Sequence, residues 1–281
     1  MSFAFPVSLD EFLVADAAFG AAYDAVSPEE RAVIKAAVAR MAIVQEKAEA
    51  LSRYSVTMVR QGFTLHERTC PVSWTVVLWD AAYAGPTRVL AALMPAMLAG
   101  VPNILACRIG DHGEFPAPLL AALELAGQEL VAECAPGVAL DIVRACCEAD
   151  GRGRVVCLGQ EAVLGEAVRL AASFGVPAYH MASPVRVGIA ASSFSEPMQD
   201  TYIRFVHPDG ALVPFEEDAV NGIFSAVFCA EEHVVNFLGS APLILSPGNE
   251  GYWAWPGLGT VFFRETSMGL SGVAAEDDER D

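Results

Sequence analysis

The sequence VVCLGQEAVLGEAVRLAASFGVPAY, from Val155 to Tyr179, decides the fold class. Four apolar residues ending at Leu158 predict a short buried strand, and apolar residues at helical spacing from Gln160 to Phe174 predict a helix. Gly175 marks the end of that helix, and a second strand is predicted from Val176 to Tyr179. A strand, a helix and another strand in this order are typical of parallel strands joined by a crossover helix.

The same alternation extends over most of the chain. Strands are predicted at residues 104–107, 130–132 and 186–190, and helices at residues 87–98, 118–126 and 138–147. Short apolar strands that alternate with longer helices predict parallel sheets that are covered by helices on both faces. We therefore predict an α/β protein built from Rossmann-like units.

The regions on either side of this alternation are less regular. Ser27-Pro28-Glu29-Glu30 has the pattern of a capping box, which predicts the start of a helix that runs to about Arg53. Residues 1–25 predict a shorter helix before it. Further strands are predicted at residues 57–60, 75–78, 202–206, 211–213 and 260–263, and a further helix at residues 217–228.

Charge and hydropathy exclude two classes of partner. The formal net charge is -18, and the 17 Lys and Arg residues are dispersed, whereas nucleic-acid binding requires clustered basic residues. Val89 to Cys107 is uncharged and long enough to suggest a membrane span, but Pro95, Gly100 and Pro102 interrupt it. A buried helix followed by a buried strand explains this segment better. We predict no nucleic-acid and no membrane partner.

Cysteine usage and the chain ends bear on the cellular location. The seven cysteines form no paired motif, which predicts a reduced, cytoplasmic protein that uses them as small apolar residues. The first residues, MSFAFP, lack the basic segment of a signal peptide. Residues 275–281, AEDDERD, are predicted to be a solvated acidic tail.

Six blocks of sequence resemble, in order, those of one enzyme family. PTRVL at residues 86–90 with PAMLAGV at 95–101 is similar to Pro-Ser-x-Val-Leu and Pro-Ala-x-x-Ala-Gly-Val, and AEEH at 230–233 is similar to Ala-Pro-Glu-His. The other blocks lie at residues 119–127, 158–163, 181–190 and 256–260. Together they resemble histidinol dehydrogenase, the NAD-dependent enzyme that oxidises histidinol to histidine, in a shortened and divergent form.

The resemblance implies a particular architecture. The family has two incomplete Rossmann-like lobes with mainly parallel sheets, one inserted in the other, as in aldehyde dehydrogenases. Residues 79–184 would form the nucleotide-side lobe, and residues 1–78 together with 185–281 would form the second lobe. The family is dimeric, which implies a homodimer here, although part of the family's dimer contact belongs to a C-terminal domain with no counterpart in this sequence.

The resemblance also implies an NAD site, and it places three residues there. Gly159 and Gln160 match family positions that contact NAD, and Gln160 keeps a side-chain amide where the family has Asn. Trp79 lies in the segment that matches the family's glycine-rich turn, where this chain has alanines instead of glycines. Alanine keeps a ligand farther from the backbone than glycine does, so these contacts are weakened.

The family's zinc ligands are not matched. Its Gln-x-x-His pair aligns with Gln199 and Tyr202, its Asp aligns with Asn249, and no histidine follows His233. Tyr and Asn are poor zinc ligands beside His and a carboxylate. We therefore expect no zinc.

Two groups of residues are candidates for chemistry. The resemblance implies that Glu232 and His233 are an acid–base pair, and histidine suits that role because it titrates near neutral pH. The alternative for this pair is a solvent-facing position at a helix end. His180 ends a predicted strand, where ligands gather in such sheets, and with Ser183 and Arg186 it is a candidate small-molecule site. The alternative is a purely structural histidine.

Three functions remain open from the sequence. The first is a divergent histidinol dehydrogenase-like protein that has lost zinc-dependent histidinol oxidation and retains binding of NAD or another small molecule. The second is an active, metal-independent and NAD-dependent oxidoreductase acting on a small alcohol or aldehyde, with Glu232 or His233 as the base. The third is a structural or regulatory subunit that uses the aromatic run Tyr252-Trp253-Ala254-Trp255.

Overall fold

The structure is a computed structural model that describes residues 3–45, 53–59, 62–110, 114–190, 197–215 and 224–272. Its helices are α1 (Asp16–Ala25), α2 (Pro28–Val44), α3 (Pro86–Ala99), α4 (Ala117–Ala126), α5 (Pro136–Ala149), α6 (Ala162–Ser173) and α7 (Pro197–Val206). Its strands are β1 (Arg53–Val59), β2 (Phe63–Pro71), β3 (Trp74–Asp80), β4 (Ile104–Ile109), β5 (Val131–Cys134), β6 (Gly153–Leu158), β7 (Ala178–Met181), β8 (Arg186–Ala190), β9 (Ala211–Phe215), β10 (Ala226–Phe228), β11 (Ile244–Leu245) and β12 (Arg264–Gly272).

The larger sheet has five parallel strands in the order β5-β4-β3-β6-β7. The chain builds outward from the central strand β3 to β5, then crosses to the other side of β3 and adds β6 and β7. This is the strand order of a Rossmann-like lobe, and it places a crevice at the carboxyl ends of β3 and β6, where the winding direction reverses. The predicted fold class is confirmed.

Two further sheets complete the fold. Strands β11-β10-β8-β9 form a smaller parallel sheet, also wound to both sides of its first strand, β8. Strands β1-β2-β12 form an antiparallel sheet that joins residues 53–71 to residues 264–272, so the two parallel sheets are inserted between its strands. The larger sheet starts at Trp74, five residues before the lobe boundary predicted at residue 79.

Local sequence signals explain most of the helix ends. The Ser27 side chain accepts a hydrogen bond from the Glu30 N–H, and the Glu30 carboxylate accepts one from the Ser27 N–H, so the predicted capping box is present. Gly100 and Gly127 end α3 and α4 with φ angles of 80° and 75°, which residues other than glycine rarely adopt. Helix α2 is described to Val44, and residues 46–52 of the predicted helix lie outside the described residues.

The uncharged segment from Val89 to Cys107 forms most of α3 and the start of β4, as predicted. Helix α3 is buried on nearly all sides, because the larger sheet, the amino-terminal helices and the second lobe surround it. Within the described residues, no helix combines the length and the hydropathy that crossing a membrane requires.

Three predictions made for the carboxyl-terminal third were wrong. Residues 202–206 belong to helix α7 and not to a strand, because Ile203 and Val206 are both buried and share one helix face. Residues 260–263 form a short 3-10 helix, and the strand follows it as β12. Residues 226–228 form strand β10 and not the end of a helix. Residues 217–223 of that predicted helix and the acidic tail at 275–281 lie outside the described residues.

Two of the hydrophobic clusters among the described residues lie on the two faces of the larger sheet, and a third, around Val227 and Phe237, belongs to the smaller sheet. Alternate β3 residues divide between the two faces: Val77 and Trp79 face α3 and α4, whereas Trp74, Val76 and Leu78 face α5 and α6. The first cluster continues into the second lobe through Phe228 and Trp253, so the two lobes share one apolar core. Burying each such large side chain stabilises the fold by about 1.5–3 kcal/mol.

Candidate functional site

A cleft of about 450 Å³ opens at the carboxyl ends of β3 and β6. The residues that matter for its chemistry are Asp80, Arg88, Gly159, Gln160, Ser183 and Asp209. Asp80 ends β3, Gly159 and Gln160 follow β6, and Asp209 comes from the turn between α7 and β9 in the second lobe. The cleft therefore lies between the lobes, at the position where open α/β sheets bind their ligands.

A carboxylate of the chain binds the backbone immediately before helix α6. The Asp80 Oδ2 atom accepts hydrogen bonds from the backbone N–H groups of Gln160, at 2.7 Å, and Glu161, at 3.4 Å. Gly159 has a φ of 121°, and a Cβ atom there would lie 2.0 Å from Asp80 Oδ2. Free N–H groups at a helix start attract anions, and here Asp80 supplies the anion.

Arg88 forms the floor of the cleft. It lies in the first turn of α3 with 0% of its side chain exposed, and it pairs with Asp209 of the second lobe. Its guanidinium carbon is 4.7 Å from the centre of the Tyr83 ring, a cation–π distance. The Arg88 Nε and Nη1 atoms and the Tyr83 hydroxyl have no hydrogen-bond partner within the described protein. Burial raises the pKa of Tyr83.

Acidic groups outnumber basic groups around this cleft. Asp80, Glu161 and Asp209 contribute three negative charges and Arg88 contributes one positive charge, which leaves a net charge of -2 in the lining. The guanidinium is fully buried, whereas Glu161 is exposed at the rim. A ligand that enters from solvent therefore meets negative charge first.

Of the three residues predicted to contact the cofactor, two line the cleft and one does not. Gly159 and Gln160 line the cleft, whereas the Trp79 side chain is fully buried in the core, with its ring centre 6.3 Å from that of Phe115. Trp79 therefore does not line the cleft, because alternate β3 side chains point into the sheet's covered faces.

A dinucleotide does not fit these residues. A phosphate at the start of α6 would meet the Asp80 carboxylate, and two anions repel each other strongly where water is excluded. At the start of α3 the Arg88 side chain lies against Gly85, where a Cβ atom would be only 2.2 Å from Arg88 Nε, so the backbone N–H groups are covered. Asp80 and Arg88 thus line the crevice where such sheets usually hold a pyrophosphate.

The residues of the predicted small-molecule site lie at two neighbouring pockets, and Ser183 borders both. Ser183 lines the cleft, but the His180 ring nitrogen Nε2 lies 3.2 Å from the Gly159 carbonyl oxygen and holds the turn after β6. Arg186 lines a separate apolar pocket of about 330 Å³, which it shares with Ser183, Trp253 and Trp255. Both tryptophans are buried, and Trp255 Nε1 donates to the Arg88 carbonyl at 2.9 Å. The aromatic run thus packs the lobes together.

The predicted acid–base pair lies at the other sheet. Glu232 and His233 are in a short 3-10 helix that follows the carboxyl end of β10; Glu232 is exposed and His233 is half-buried. Neither residue lines the cleft between β3 and β6. Residues 191–196 and 216–223, which follow β8 and β9 at the same sheet edge, lie outside the described residues. The catalytic role of the pair stays a prediction.

The positions aligned with the family's zinc ligands do not fit a metal ion. Tyr202 is part of α7, and the Asn249 side-chain amide lies 3.4 Å and 3.3 Å from the carbonyl and hydroxyl oxygens of Ser246, as their donor. The side chain of Gln199 lies outside the described residues. Among the residues that the structure describes, no three His, Cys, Asp or Glu side chains are grouped as metal ligands.

The charged residues that line the cleft were not among the predicted site residues. Asp80 directly follows an apolar strand, and Arg88 is the single charged residue between positions 81 and 107, which are signals that could have indicated both. Asp209 and the fully buried His207 carry no such signal. The His207 ring lies 4.8 Å from that of Trp253, and burial, together with the charge of Arg88, holds its pKa well below the usual value.

Comparisons with known proteins agree with the geometry. Residues 2–140 match the family model described as histidinol dehydrogenase. A histidinol dehydrogenase from Elizabethkingia anophelis superposes with a TM-score of 0.61 and 13% identity, over 93% of this chain and 77% of that chain. An aldehyde dehydrogenase variant from Bacillus cereus gives a TM-score of 0.49 and 10% identity, over 92% and 89% of the two chains. None of the curated proteins matches significantly.

These findings confirm the predicted resemblance. The structural likeness shows the fold, and the family model matches the first half of the chain independently of the structure. The histidinol dehydrogenase from Elizabethkingia anophelis is a dehydrogenase by name, and this chain shares its fold. The chain therefore resembles histidinol dehydrogenase in sequence over residues 2–140 and in fold over most of its length.

Proposed function

We propose that this protein binds a small polar molecule in the cleft between its lobes and does not carry out zinc-dependent histidinol oxidation. The observation that carries the proposal is the Asp80 carboxylate, which binds the N–H groups of Gln160 and Glu161 just before α6. A cofactor phosphate and this carboxylate compete for the same donors. The residues aligned with the family's zinc ligands give the second reason, because Tyr202 and Asn249 do not suit the metal.

The ligand that suits the cleft carries a positive charge. The net charge of the lining is -2, and the exposed Glu161 lies at the entrance. The buried Arg88 is compensated by Asp209 and by the Tyr83 ring, so it attracts an incoming anion weakly. Small amines and amino alcohols therefore suit the cleft better than carboxylic acids of the same size.

The loss of dehydrogenase chemistry is tested by direct assay. We expect no reduction of NAD or NADP at 340 nm in the presence of histidinol and zinc, and no heat in calorimetric titrations with either dinucleotide. Saturable binding of a dinucleotide by the full chain would contradict the Asp80 argument, and turnover of histidinol would contradict the proposal as a whole.

Ligand binding is tested with a charge-matched pair of variants. Histidinol and other small amines are titrated into the full chain and followed by thermal shift, with carboxylic acids of similar size as comparison. Glu161→Gln removes a carboxylate from the cleft and should weaken amine binding, whereas Glu166→Gln removes an exposed carboxylate elsewhere on α6 and should not. Equal effects of the two substitutions, or a preference for acids, would refute a cationic ligand.

A second function rests on Glu232 and His233. They follow the carboxyl end of β10 in a parallel sheet, which is where such sheets place catalytic groups. A metal-independent, NAD-dependent oxidation of a small alcohol or aldehyde, with this pair as the base, would place the chemistry at the second sheet. The dinucleotide titration above separates this function from ligand binding.

The antiparallel sheet suits contact between two copies of the chain. It exposes the large apolar side chains Tyr54 and Met58 on one face and Met268 and Leu270 on the other. Its outer strands, β1 and β12, also have one unpaired edge each within the described residues. Edges and patches of this kind mark interaction surfaces. A homodimer is therefore part of the proposal, and light scattering after gel filtration tests it.

A further inference from the structure

A second cavity, of about 510 Å³, lies where the antiparallel sheet meets the first lobe, and arginines dominate its lining. Arg68 comes from β2, Arg264 from the start of β12, and Arg152 and Arg154 from the turn before β6 and from β6 itself. Glu265 is the one acidic residue in the lining. We call this cavity the arginine groove.

The charge of the groove is opposite to that of the protein. Four arginines set against Glu265 and the neighbouring Asp150 leave a net charge of +2 (4 − 2), in a chain whose formal net charge is -18. Self-repulsion among arginines costs free energy, and a protein with 17 basic residues has many other places for them. The cluster is therefore explained best by something that the arginines bind together.

The four arginines have different tasks. Arg154 is buried and donates to the carbonyl oxygens of Phe262, at 2.6 Å, and Arg264, at 3.2 Å, so it fixes the start of β12 against β6. Its distance to the Glu265 carboxylate is 3.7 Å. Arg152 pairs with Asp150 through two contacts, at 2.9 Å and 3.2 Å, and its side chain is 61% exposed.

Arg68 is the arginine most open to a ligand. It is exposed on β2, and it makes no hydrogen bond or ion pair with another described residue. Its strand neighbour on β12, Ser267, lines the groove beside it and offers a hydroxyl donor. Arg68 and Arg152 thus present charge to the cavity while Arg154 keeps the walls in place.

We propose that the arginine groove binds a compact anion with two or more negative charges, of the phosphate or phosphate-ester class. Planar guanidinium groups match phosphate oxygens in pairs, and charge-assisted hydrogen bonds of this kind are the strong ones. The cavity is large enough for such a group. Its walls come from both the antiparallel sheet and the first lobe, so the bound anion would tie the two together.

This site is separate from the cleft and does not depend on the proposed function. The groove lies at the amino end of β6, beside Gly153, and the cleft lies at its carboxyl end, beside Gly159. The six residue steps from Gly153 to Gly159 span about 20 Å in a strand. A ligand of the groove therefore does not touch Asp80 or Arg88.

Calorimetry of the full chain with inorganic pyrophosphate at low ionic strength tests the proposal. We expect one site with a dissociation constant below about 1 mM, weakened roughly tenfold by Arg68→Gln and by Arg152→Gln, since each substitution removes one charge-assisted contact. Arg144→Gln removes the same charge from an exposed position on α5 and should change the constant less than about twofold.

Both possible failures are informative. Absence of binding by the unsubstituted chain overturns the proposal. Equal weakening by Arg68→Gln and Arg144→Gln also overturns it, because the anion would then respond to the overall charge of the protein. Circular dichroism of each variant confirms that it is folded, and Arg68, being exposed and unpaired, is the substitution least able to disturb folding.

Discussion

The ion pair between Arg88 and Asp209 makes a sharp prediction about stability. The Arg88 side chain is fully buried in α3 of the first lobe, and its one carboxylate partner comes from the second lobe, 121 residues farther along the chain. Asp209→Asn keeps the size of that partner and removes its charge. We expect the substitution to destabilise the whole protein, because it leaves a buried cation without a counter-charge.

The magnitude follows from the surroundings of Arg88. Removing one partner of a buried ion pair costs about 3–5 kcal/mol. The Tyr83 ring, 4.7 Å from the guanidinium carbon, still stabilises the cation by about 1–2 kcal/mol and moves the expected loss to the lower end, about 3 kcal/mol. In Arg88→Met/Asp209→Asn the buried charge is gone as well, so the double variant should recover to within about 1.5 kcal/mol of the unsubstituted protein.

Urea unfolding followed by tryptophan fluorescence measures these differences. The buried Trp253 and Trp255 lie at the boundary between the lobes, so their emission reports on the region that the ion pair joins. Asp141→Asn, an exposed substitution on α5, is the control and should stay within about 0.5 kcal/mol. A loss below about 1 kcal/mol for Asp209→Asn, or a double variant less stable than the single one, would refute the reasoning.

Three other predictions concern single residues. Burial and the charge of Arg88 hold the pKa of His207 far below its usual value. The folded protein therefore binds fewer protons at His207 than the unfolded chain does. The free energy of unfolding should fall as the pH drops below about 6.5, by up to about 1.4 kcal/mol per pH unit. His207→Leu should remove that part of the dependence in urea titrations at pH 7 and 5.5, and an unchanged slope would contradict it. Cys70 is half-buried and the other six cysteines are buried, so Ellman's reagent should titrate one thiol rapidly in the native protein and seven in denaturant; rapid labelling that persists in Cys70→Ser would show that another thiol is accessible. Gly159→Ala should destabilise the protein by about 1–3 kcal/mol, because the residue has a φ of 121° and the new Cβ would displace Asp80; Gly137→Ala, with open space around its Cβ position, is the control, and equal losses would argue against the contact.

Segment by segment, the first lobe could be predicted and much of the second could not. From Pro86 to Met181, apolar strands alternate with capped helices, and local signals such as Gly100 and Gly127 fall where the structure ends α3 and α4. Strand β12 has polar and apolar residues exposed on both faces, so it lacks the alternation that reveals a half-buried strand. The sequence predicts a strand where the structure has helix α7, because Tyr202 and Ile203 favour strands when tertiary contacts are ignored.

The residues of the candidate site could also be predicted only in part. Gly159 and Gln160 were predicted from resemblance and do line the cleft, whereas Trp79 is buried and Arg186 belongs to another pocket. The role of Glu232 and His233 as an acid–base pair stays a prediction. The residues that set the character of the cleft came only from the structure.

The sequence by itself determined the α/β class, the alternation of strands and helices, and the divergence from the family's zinc ligands, because periodicity, caps and ligand types are local properties. The tertiary structure alone decided what fills the crevice. The Asp80 carboxylate reaches the N–H groups of Gln160, 80 residues away, and Arg88 finds Asp209 across the lobe boundary. Such pairings depend on where strands and helices end in the folded protein. No local sequence pattern determines which residues then lie close together.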